Sequence, residues 1–119
     1  MRDPAAYAKV AAREASRELV VEVFKLTNRL PQTAKLRFGP DIRKVATAMS
    51  SYISEGSSGN NAEDQTSFLL MGYENLVELL TKIIQLRKQN VLDERSFLKI
   101  KMQIEDLAMK INKVTRPEG

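Results

Sequence analysis

Few side chains in this sequence could carry out acid–base or covalent chemistry. The chain has no Cys and no His, which removes thiol nucleophiles, imidazole bases and nearly all zinc or haem ligation. Pairs of adjacent carboxylates remain, but neighbouring residues on a helix diverge by about 100° and do not converge on one ligand. We interpret the pairs as capping or solvated charges, and they are Glu63-Asp64, Asp93-Glu94 and Glu105-Asp106. The sequence predicts a protein that is not an enzyme and needs neither cofactor nor metal.

Serine side chains also lack the partners that catalysis would need. Ser50, Ser51 and Ser54 fall close together near the end of a predicted helix. A serine nucleophile is activated by an adjacent base, most often an imidazole, and this sequence offers no imidazole. We interpret the three serines as packing or capping residues.

Positive charge is concentrated in two segments. The net charge of the chain is only +4, yet residues 25–48 and 80–103 together hold 12 basic and 3 acidic side chains. The rest of the chain holds 7 basic and 12 acidic side chains. In an up-down helical bundle the two basic segments lie at the same end, so that end carries about +9 and the other end about −5.

Such a basic end predicts binding of a polyanion, through phosphate contacts that release counterions rather than read bases. Taken singly, each basic residue is more simply a solvated surface charge, and the clustering is what favours nucleic acid, RNA or DNA. The alternative is a protein–protein adaptor, whose apolar helix faces bind a partner protein while the basic end complements its acidity. The predicted phosphate contacts are Lys25, Arg29, Lys35, Arg37, Arg43, Lys44, Arg87, Lys88, Arg95, Lys99 and Lys101.

Four amphipathic segments must position these charges. Asp3-Pro4 has the residue types of a helix start, and Gly39-Pro40-Asp41 indicates the start of a second helix. Asn61 and Asp93 can each cap a following helix. Short connections make neighbouring helices antiparallel. Residues 1–119 are therefore predicted to form one all-α domain, an antiparallel up-down four-helix bundle with helices at about 4–30, 40–56, 61–90 and 93–115.

The third predicted helix is apolar over more than one face. Leu69, Leu76 and Ile83 form one stripe with a spacing of seven residues, and a second stripe lies beside it at Leu70, Val77 and Ile84. A helix at the surface of a bundle usually needs a single apolar stripe. Either the helix is deeply buried within one bundle, or the second stripe packs against another subunit.

Glycine after Glu55 is predicted to end the second helix. Gly56 precedes Ser57-Ser58-Gly59, and glycine at this position can adopt the left-handed backbone conformation without a Cβ penalty. On that reasoning, replacement of Gly56 by valine is expected to destabilise the protein by roughly 1–2 kcal/mol.

The sequence resembles a family of small bacterial four-helix-bundle proteins. This family includes proteins encoded within intervening sequences of large-subunit ribosomal RNA genes and the accessory variability determinants of diversity-generating retroelements. The resemblance rests on Leu30-Pro31, Asp41-Ile42-Arg43-Lys44, Ile53-Ser54-Glu55-Gly56, Phe68-Leu69 and Leu76-Val77-Glu78-Leu79.

This resemblance implies a ring-shaped homo-oligomer, a pentamer, with a basic surface. In the retroelement branch it also implies a reverse transcriptase partner and its template RNA. The chain departs from the family pattern at Ser50 and Tyr52, where proline and asparagine are usual, and at Gly59-Asn60, where arginines are usual. Residues 1–18 contain no apolar run of signal-peptide length, and no segment has the length of a membrane span. We therefore expect a cytoplasmic protein with no membrane partner.

Overall fold

Four helices account for the regular secondary structure of the computed structural model, which describes residues 4–58 and 61–116. This confirms the prediction of an all-helical chain with four helices. Asp3 of the predicted helix start and the departure from the family pattern at Gly59-Asn60 lie outside the described residues. The helices are α1 (Pro4–Asn28), α2 (Gln32–Gly56), α3 (Ala62–Lys88) and α4 (Glu94–Thr115).

Each helix packs against two neighbours, so that α1 and α3 lie at opposite corners of the bundle, as do α2 and α4. Adjacent helices are antiparallel, because Thr27 of α1 contacts Arg43 of α2 while the earlier Ser16 contacts the later Ser50. The apolar stripes meet in one core. Its largest fully buried side chains include Leu19, Ile42, Met49, Ile53, Leu69, Leu76, Leu79, Ile83, Leu86, Leu107 and Ile111. None of the helices in residues 4–58 and 61–116 is long and apolar enough to cross a membrane.

Helix α2 begins at Gln32, eight residues before the predicted start, and contains Pro40 within its length. A proline inside a helix leaves the carbonyl four residues earlier without its donor. Pro40 and Leu36 are both exposed, so the unpaired carbonyl of Leu36 lies on the side of the helix that water can reach. Ala34 is buried on the opposite side of the helix, and Leu30, which precedes the helix, is buried as well. Packing of this first turn against the core therefore keeps the segment helical despite the proline.

The caps predicted for the third and fourth helices are confirmed. The side chain of Asn61 accepts a hydrogen bond from the backbone N–H of Asp64, and that of Asp93 accepts one from Ser96. The hydrogen bond from the Ser96 backbone, together with one from its hydroxyl, lowers the pKa of Asp93 below its usual value. These short-range contacts fix where α3 and α4 begin.

The left-handed conformation predicted for Gly56 is wrong. Gly56 is the last residue of α2, is buried, and has a backbone φ outside the left-handed range. A Cβ at this position would lie 2.6 Å from Cγ of Leu69 and 2.9 Å from the carbonyl oxygen of Gln65. Glycine is required here because α2 and α3 approach each other closely. The described non-glycine residue with a positive φ is Asn90, in the α3–α4 connection.

Candidate nucleic-acid interface

The α1–α2 and α3–α4 connections lie side by side at one end of the bundle, which we call the basic end. A cleft of about 120 Å³ between them is lined by Arg29 and Leu30 from the first connection and by Val91 and Leu92 from the second. Because the chain is up-down, the residues that flank both connections come together at this end. The structure thus places the last turns of α1 and α3 beside the first turns of α2 and α4.

Five of the predicted contact residues flank these connections directly. Arg29, Arg37, Lys88 and Arg95 are exposed, and Lys35 is half-buried. The Lys35 ammonium donates a hydrogen bond of 2.9 Å to the side-chain oxygen of Asn28, a neutral acceptor that leaves the charge uncompensated. The guanidinium of Arg37 lies 5.2 Å from the centre of the Phe38 ring. A cation held against an aromatic face also keeps its charge.

Arg43 and Lys44 lie farther from the end than the sequence suggested. Because α2 begins at Gln32, the two residues fall near the middle of the helix rather than at its start. Nε of Arg43 donates a 2.8 Å hydrogen bond to the hydroxyl of buried Thr27, and its guanidinium lies 5.4 Å from the ring centre of Phe24. Arg43 is thus held between α1 and α2, which limits the positions its charge can reach.

Lys44 is exposed and follows Arg37 by seven residues along α2. Residues at this spacing lie on the same side of a helix. The outer face of α2 therefore carries two exposed cations, one beside the connections and one about two turns below it.

Four other predicted residues are engaged by carboxylates. Lys25 and Lys99, from different helices, share Glu22 at 3.9 and 3.6 Å. Arg87 pairs with Glu94 at 3.2 Å and also lies 6.0 Å from the ring centre of Phe97. Exposed ion pairs contribute little to stability, but each one neutralises part of the field that a polyanion would meet. Lys101 pairs with Glu105 at 2.9 Å.

Seven predicted residues therefore keep their charge without a carboxylate partner among the described residues. Their common feature is that each is either exposed to solvent or held by a neutral acceptor or an aromatic ring. They are Arg29, Lys35, Arg37, Arg43, Lys44, Lys88 and Arg95.

Lys82 belongs to the basic segment by sequence but has a structural role. It pairs with Asp41 of α2 at 2.5 Å and with Glu78 at 3.7 Å. The hydrogen bond to Asp41 raises the pKa of Lys82 above its usual value. This pair links α2 to α3, and it neutralises the one acidic residue on α2 between Arg37 and Lys44.

An open groove between α1 and α2, with a volume of about 360 Å³, was not predicted as a site. It is lined by Arg17, Val20, Thr47, Glu55 and the serines of α2. Ser50 shares a hydrogen bond of 3.1 Å with buried Ser16 of α1, which agrees with the interpretation of Ser50 as a packing residue. In residues 4–58 and 61–116, no three Asp or Glu side chains are grouped so as to hold a metal ion.

Fold and surface together define a small four-helix bundle with a basic end. The 23S rRNA-intervening sequence protein family matches the chain over residues 8–113, which is nearly its whole length. The chain therefore belongs to this family, and the resemblance to the intervening-sequence proteins is confirmed. No curated protein matches the chain.

Proposed function

We propose that this protein is a non-enzymatic, homo-oligomeric nucleic-acid-binding protein that holds phosphate groups at its basic end. The observation that supports the proposal is the set of seven basic side chains, defined above, that have no carboxylate partner in the described part of the chain. Cations that are neutralised by their own neighbours gain little from a phosphate, whereas uncompensated ones release counterions from the nucleic acid on binding.

The expected mode of binding is contact with the backbone of RNA or DNA. Stacking of splayed bases requires accessible aromatic faces, and Phe38 and Phe97 at the basic end are half-buried and already lie against Arg37 and Arg87. Phosphate contacts position a protein on nucleic acid without reading its sequence. Affinity should therefore depend strongly on salt and weakly on sequence.

Assembly of several subunits into a homo-oligomer would bring their basic ends together and increase the local positive charge. In a ring of subunits with a common orientation, every basic end lies on the same rim, and the summed potential exceeds that of a monomer with a net charge of +4. The resemblance to retroelement accessory proteins favours a pentamer, with a reverse transcriptase and its template RNA as the specific partners.

A double substitution on the outer face of α2 tests the proposal. Arg37→Gln with Lys44→Gln removes one exposed charge beside the connections and one about two turns below it on the same face of α2, and should weaken binding to RNA and DNA of any sequence. The slope of log affinity against log salt should fall by up to about 2 for each bound subunit, since each phosphate contact on duplex DNA contributes about 0.9. Fluorescence anisotropy at several salt concentrations measures both quantities.

Arg17→Gln with Lys110→Gln is the matched control, because it removes the same charge from parts of α1 and α4 away from the connections. Both of these residues form ion pairs within their own helices, Arg17 with Glu14 and Lys110 with Asp106. The affinity of this control variant for nucleic acid should therefore change little. An equal loss in both double variants would show that net charge rather than the basic end governs binding. If the wild-type protein shows no salt-sensitive binding to either nucleic acid, the adaptor function replaces this proposal.

A further inference from the structure

The groove between α1 and α2 brings together polar side chains that the fold itself does not use. Its volume of about 360 Å³ falls in the range of small-molecule sites. Both helices contribute to its walls, and we call it the α1–α2 groove. Its residues are Arg17 and Val20 of α1 and Thr47, Ser50, Ser51, Ser54 and Glu55 of α2.

Three hydroxyl groups of the α1–α2 groove have no partner in the fold. A hydroxyl inside a helix can be satisfied by a carbonyl three or four residues earlier. The hydroxyls that are satisfied in this way include those of Ser16, Thr27, Thr81 and Thr115. By contrast, the side chains of Thr47, Ser51 and Ser54 form no hydrogen bond within residues 4–58 and 61–116. Each of the three can therefore donate to a ligand and accept from it.

The two charged side chains of the groove are also available to a ligand. Glu55 forms no ion pair with any residue in the described part of the chain. Arg17 has one carboxylate contact, with exposed Glu14 at 3.8 Å, and an exposed pair of this length holds a side chain only weakly. Because Arg17 and Glu55 have opposite charges, the groove residues have no net charge.

Arg13 adds an unsatisfied donor near one end of the groove. Its Nε is buried and has no hydrogen-bond partner among the described residues. Ser16 and Ser50 share a hydrogen bond across the two antiparallel helices. Arg13 is three residues before Ser16 and Ser54 is four residues after Ser50, so the two lie level to within about 2 Å along the axis. Unsatisfied donors and the Glu55 carboxylate are thus concentrated at this end.

We propose that the α1–α2 groove binds a neutral ligand that carries a vicinal diol, as a sugar or the ribose of a nucleoside does. Two adjacent O–H donors suit a carboxylate with two acceptor oxygens, which is how acidic side chains hold ribose in dinucleotide-binding sites. Glu55 is that acceptor in the α1–α2 groove. The oxygens of the same ligand accept hydrogen bonds from the guanidinium of Arg17 and from the free hydroxyls.

Other classes of ligand match the groove less well. A phosphate would lie close to the uncompensated carboxylate of Glu55, and like charges repel. An apolar ligand would leave the free hydroxyls and the carboxylate without hydrogen bonds, which costs free energy. Of the seven groove residues only Val20 is fully apolar. The volume is at the small end of the range for ligand sites, which suits a single nucleoside or a small sugar.

This site is separate from the basic end. The groove residues of α2 lie between Thr47 and Glu55, in the second half of a helix whose first turn, beginning at Gln32, flanks the connections. Binding of a neutral ligand in the groove therefore does not depend on the proposed binding of nucleic acid. Either activity can be present without the other.

Ligand-observed NMR titrations with the full-length protein test the proposal, with adenosine, 2′-deoxyadenosine, D-ribose and D-glucose as probes. Adenosine should show saturable binding. 2′-Deoxyadenosine lacks one hydroxyl of the diol and should bind about tenfold more weakly or worse, since it loses a hydrogen bond to a charged acceptor. Binding of a free sugar would identify the sugar as sufficient, whereas binding of adenosine alone would identify a nucleoside site.

Two results of these titrations would overturn the proposal. The first is binding of 2′-deoxyadenosine as tightly as adenosine, which would show that the diol is not recognised. The second is the absence of binding by adenosine and by both sugars. Salt-sensitive binding of RNA or DNA is measured separately, so neither result affects the proposed nucleic-acid function.

Substitutions in the groove locate the bound probe. Glu55→Gln keeps a neutral acceptor but loses the charge and should weaken binding of the probe about tenfold, because charge-assisted hydrogen bonds are stronger. Glu63→Gln is the matched control, since Glu63 is exposed in the first turn of α3, and it should leave the affinity unchanged.

Filling the groove provides an independent test. Ser51→Phe should abolish binding of the probe, whereas Ser67→Phe, at an exposed serine of α3, should not. Ser51 is exposed as well, so the helical content measured by circular dichroism should be the same in both variants. Unchanged affinity in Glu55→Gln or in Ser51→Phe would place the probe outside the groove and overturn the assignment.

Discussion

Replacement of Gly56 by alanine should destabilise the bundle through a clash between α2 and α3. The new Cβ would lie 2.6 Å from Cγ of Leu69 and 2.9 Å from the carbonyl oxygen of Gln65. Neither atom is the free end of a flexible side chain, since Leu69 is fully buried and the carbonyl belongs to the backbone of α3. The two helices must therefore separate, or Leu69 must leave its rotamer.

The expected cost follows from two opposing effects. Overpacking of a well-packed core costs about 1–3 kcal/mol, whereas alanine in place of glycine inside a helix gains roughly 0.5–1 kcal/mol. Because three atoms of α3 would lie within 2.9 Å of the new Cβ, the expected cost of the clash at Gly56 is at the upper end of that range. The free energy of unfolding should fall by about 2 kcal/mol.

Glycines elsewhere in the bundle provide graded comparisons. A Cβ at Gly72 would lie 2.8 Å from Cγ1 of Ile53, with the next atom at 3.4 Å, so Gly72→Ala should cost about 1 kcal/mol. A Cβ at Gly39 would meet nothing closer than 4.0 Å. Because the following Pro40 disfavours helical backbone for a non-glycine residue, Gly39→Ala should stay within about 0.5 kcal/mol of the wild type.

Urea unfolding at one fixed protein concentration measures this series, since assembly would make stability concentration-dependent. A double variant with Leu69→Ala isolates the clash, because it removes Cγ and Cδ2 of Leu69, two of the three atoms nearest the new Cβ, and leaves the carbonyl oxygen of Gln65. Leu69→Ala alone should cost about 2–5 kcal/mol, and the double variant should be more stable than the sum of the single effects by about 1 kcal/mol. Equal stability of the Gly56, Gly72 and Gly39 variants would refute the close-approach argument.

Two further predictions concern the ends and the interior of helices. The lowered pKa of Asp93 means that its stabilising contribution is present above its ordinary value of 3.8 and is lost as the pH falls through the lower value of the folded state. Asp93→Asn can still cap α4 but does not titrate, so its thermal stability should change less with pH below 3.8 than that of the wild type, and parallel curves would contradict this. Pro40→Ala restores a donor for the carbonyl of Leu36 and should raise the free energy of unfolding by up to about 3 kcal/mol in urea; a variant less stable than the wild type would contradict this.

Local sequence signals were sufficient for most helix boundaries. The caps at Asn61 and Asp93 depend on a side chain and a backbone N–H three residues later, so the sequence contains the whole interaction. A local signal gave the wrong helix start at Gly39-Pro40, where the turn residues predicted that the second helix begins, whereas α2 begins at Gln32. Burial of Leu30 and Ala34 against distant parts of the chain outweighs the cost of Pro40, and no local rule includes that burial.

The meeting of the two basic segments at one end also followed from the sequence, because an up-down order of four helices brings both connections to that end. The sequence did not predict which of these basic side chains are paired with a carboxylate and which are not. Glu22 of α1 is shared by Lys25 of its own helix and Lys99 of α4, and Arg43 is held by Thr27 and Phe24 across a helix contact. Such pairings depend on side chains that are far apart in sequence.

The sequence by itself therefore determined the number of helices, the caps of the last two and the separation of charge between the two ends. Only the tertiary structure decided that Gly56 is needed for close approach to Leu69 rather than for a left-handed turn, and that Leu70 and Val77 stay exposed while Leu69 and Leu76 are buried. Capping and periodicity act over three or four residues. Burial, by contrast, is set by how whole helices rotate and approach one another.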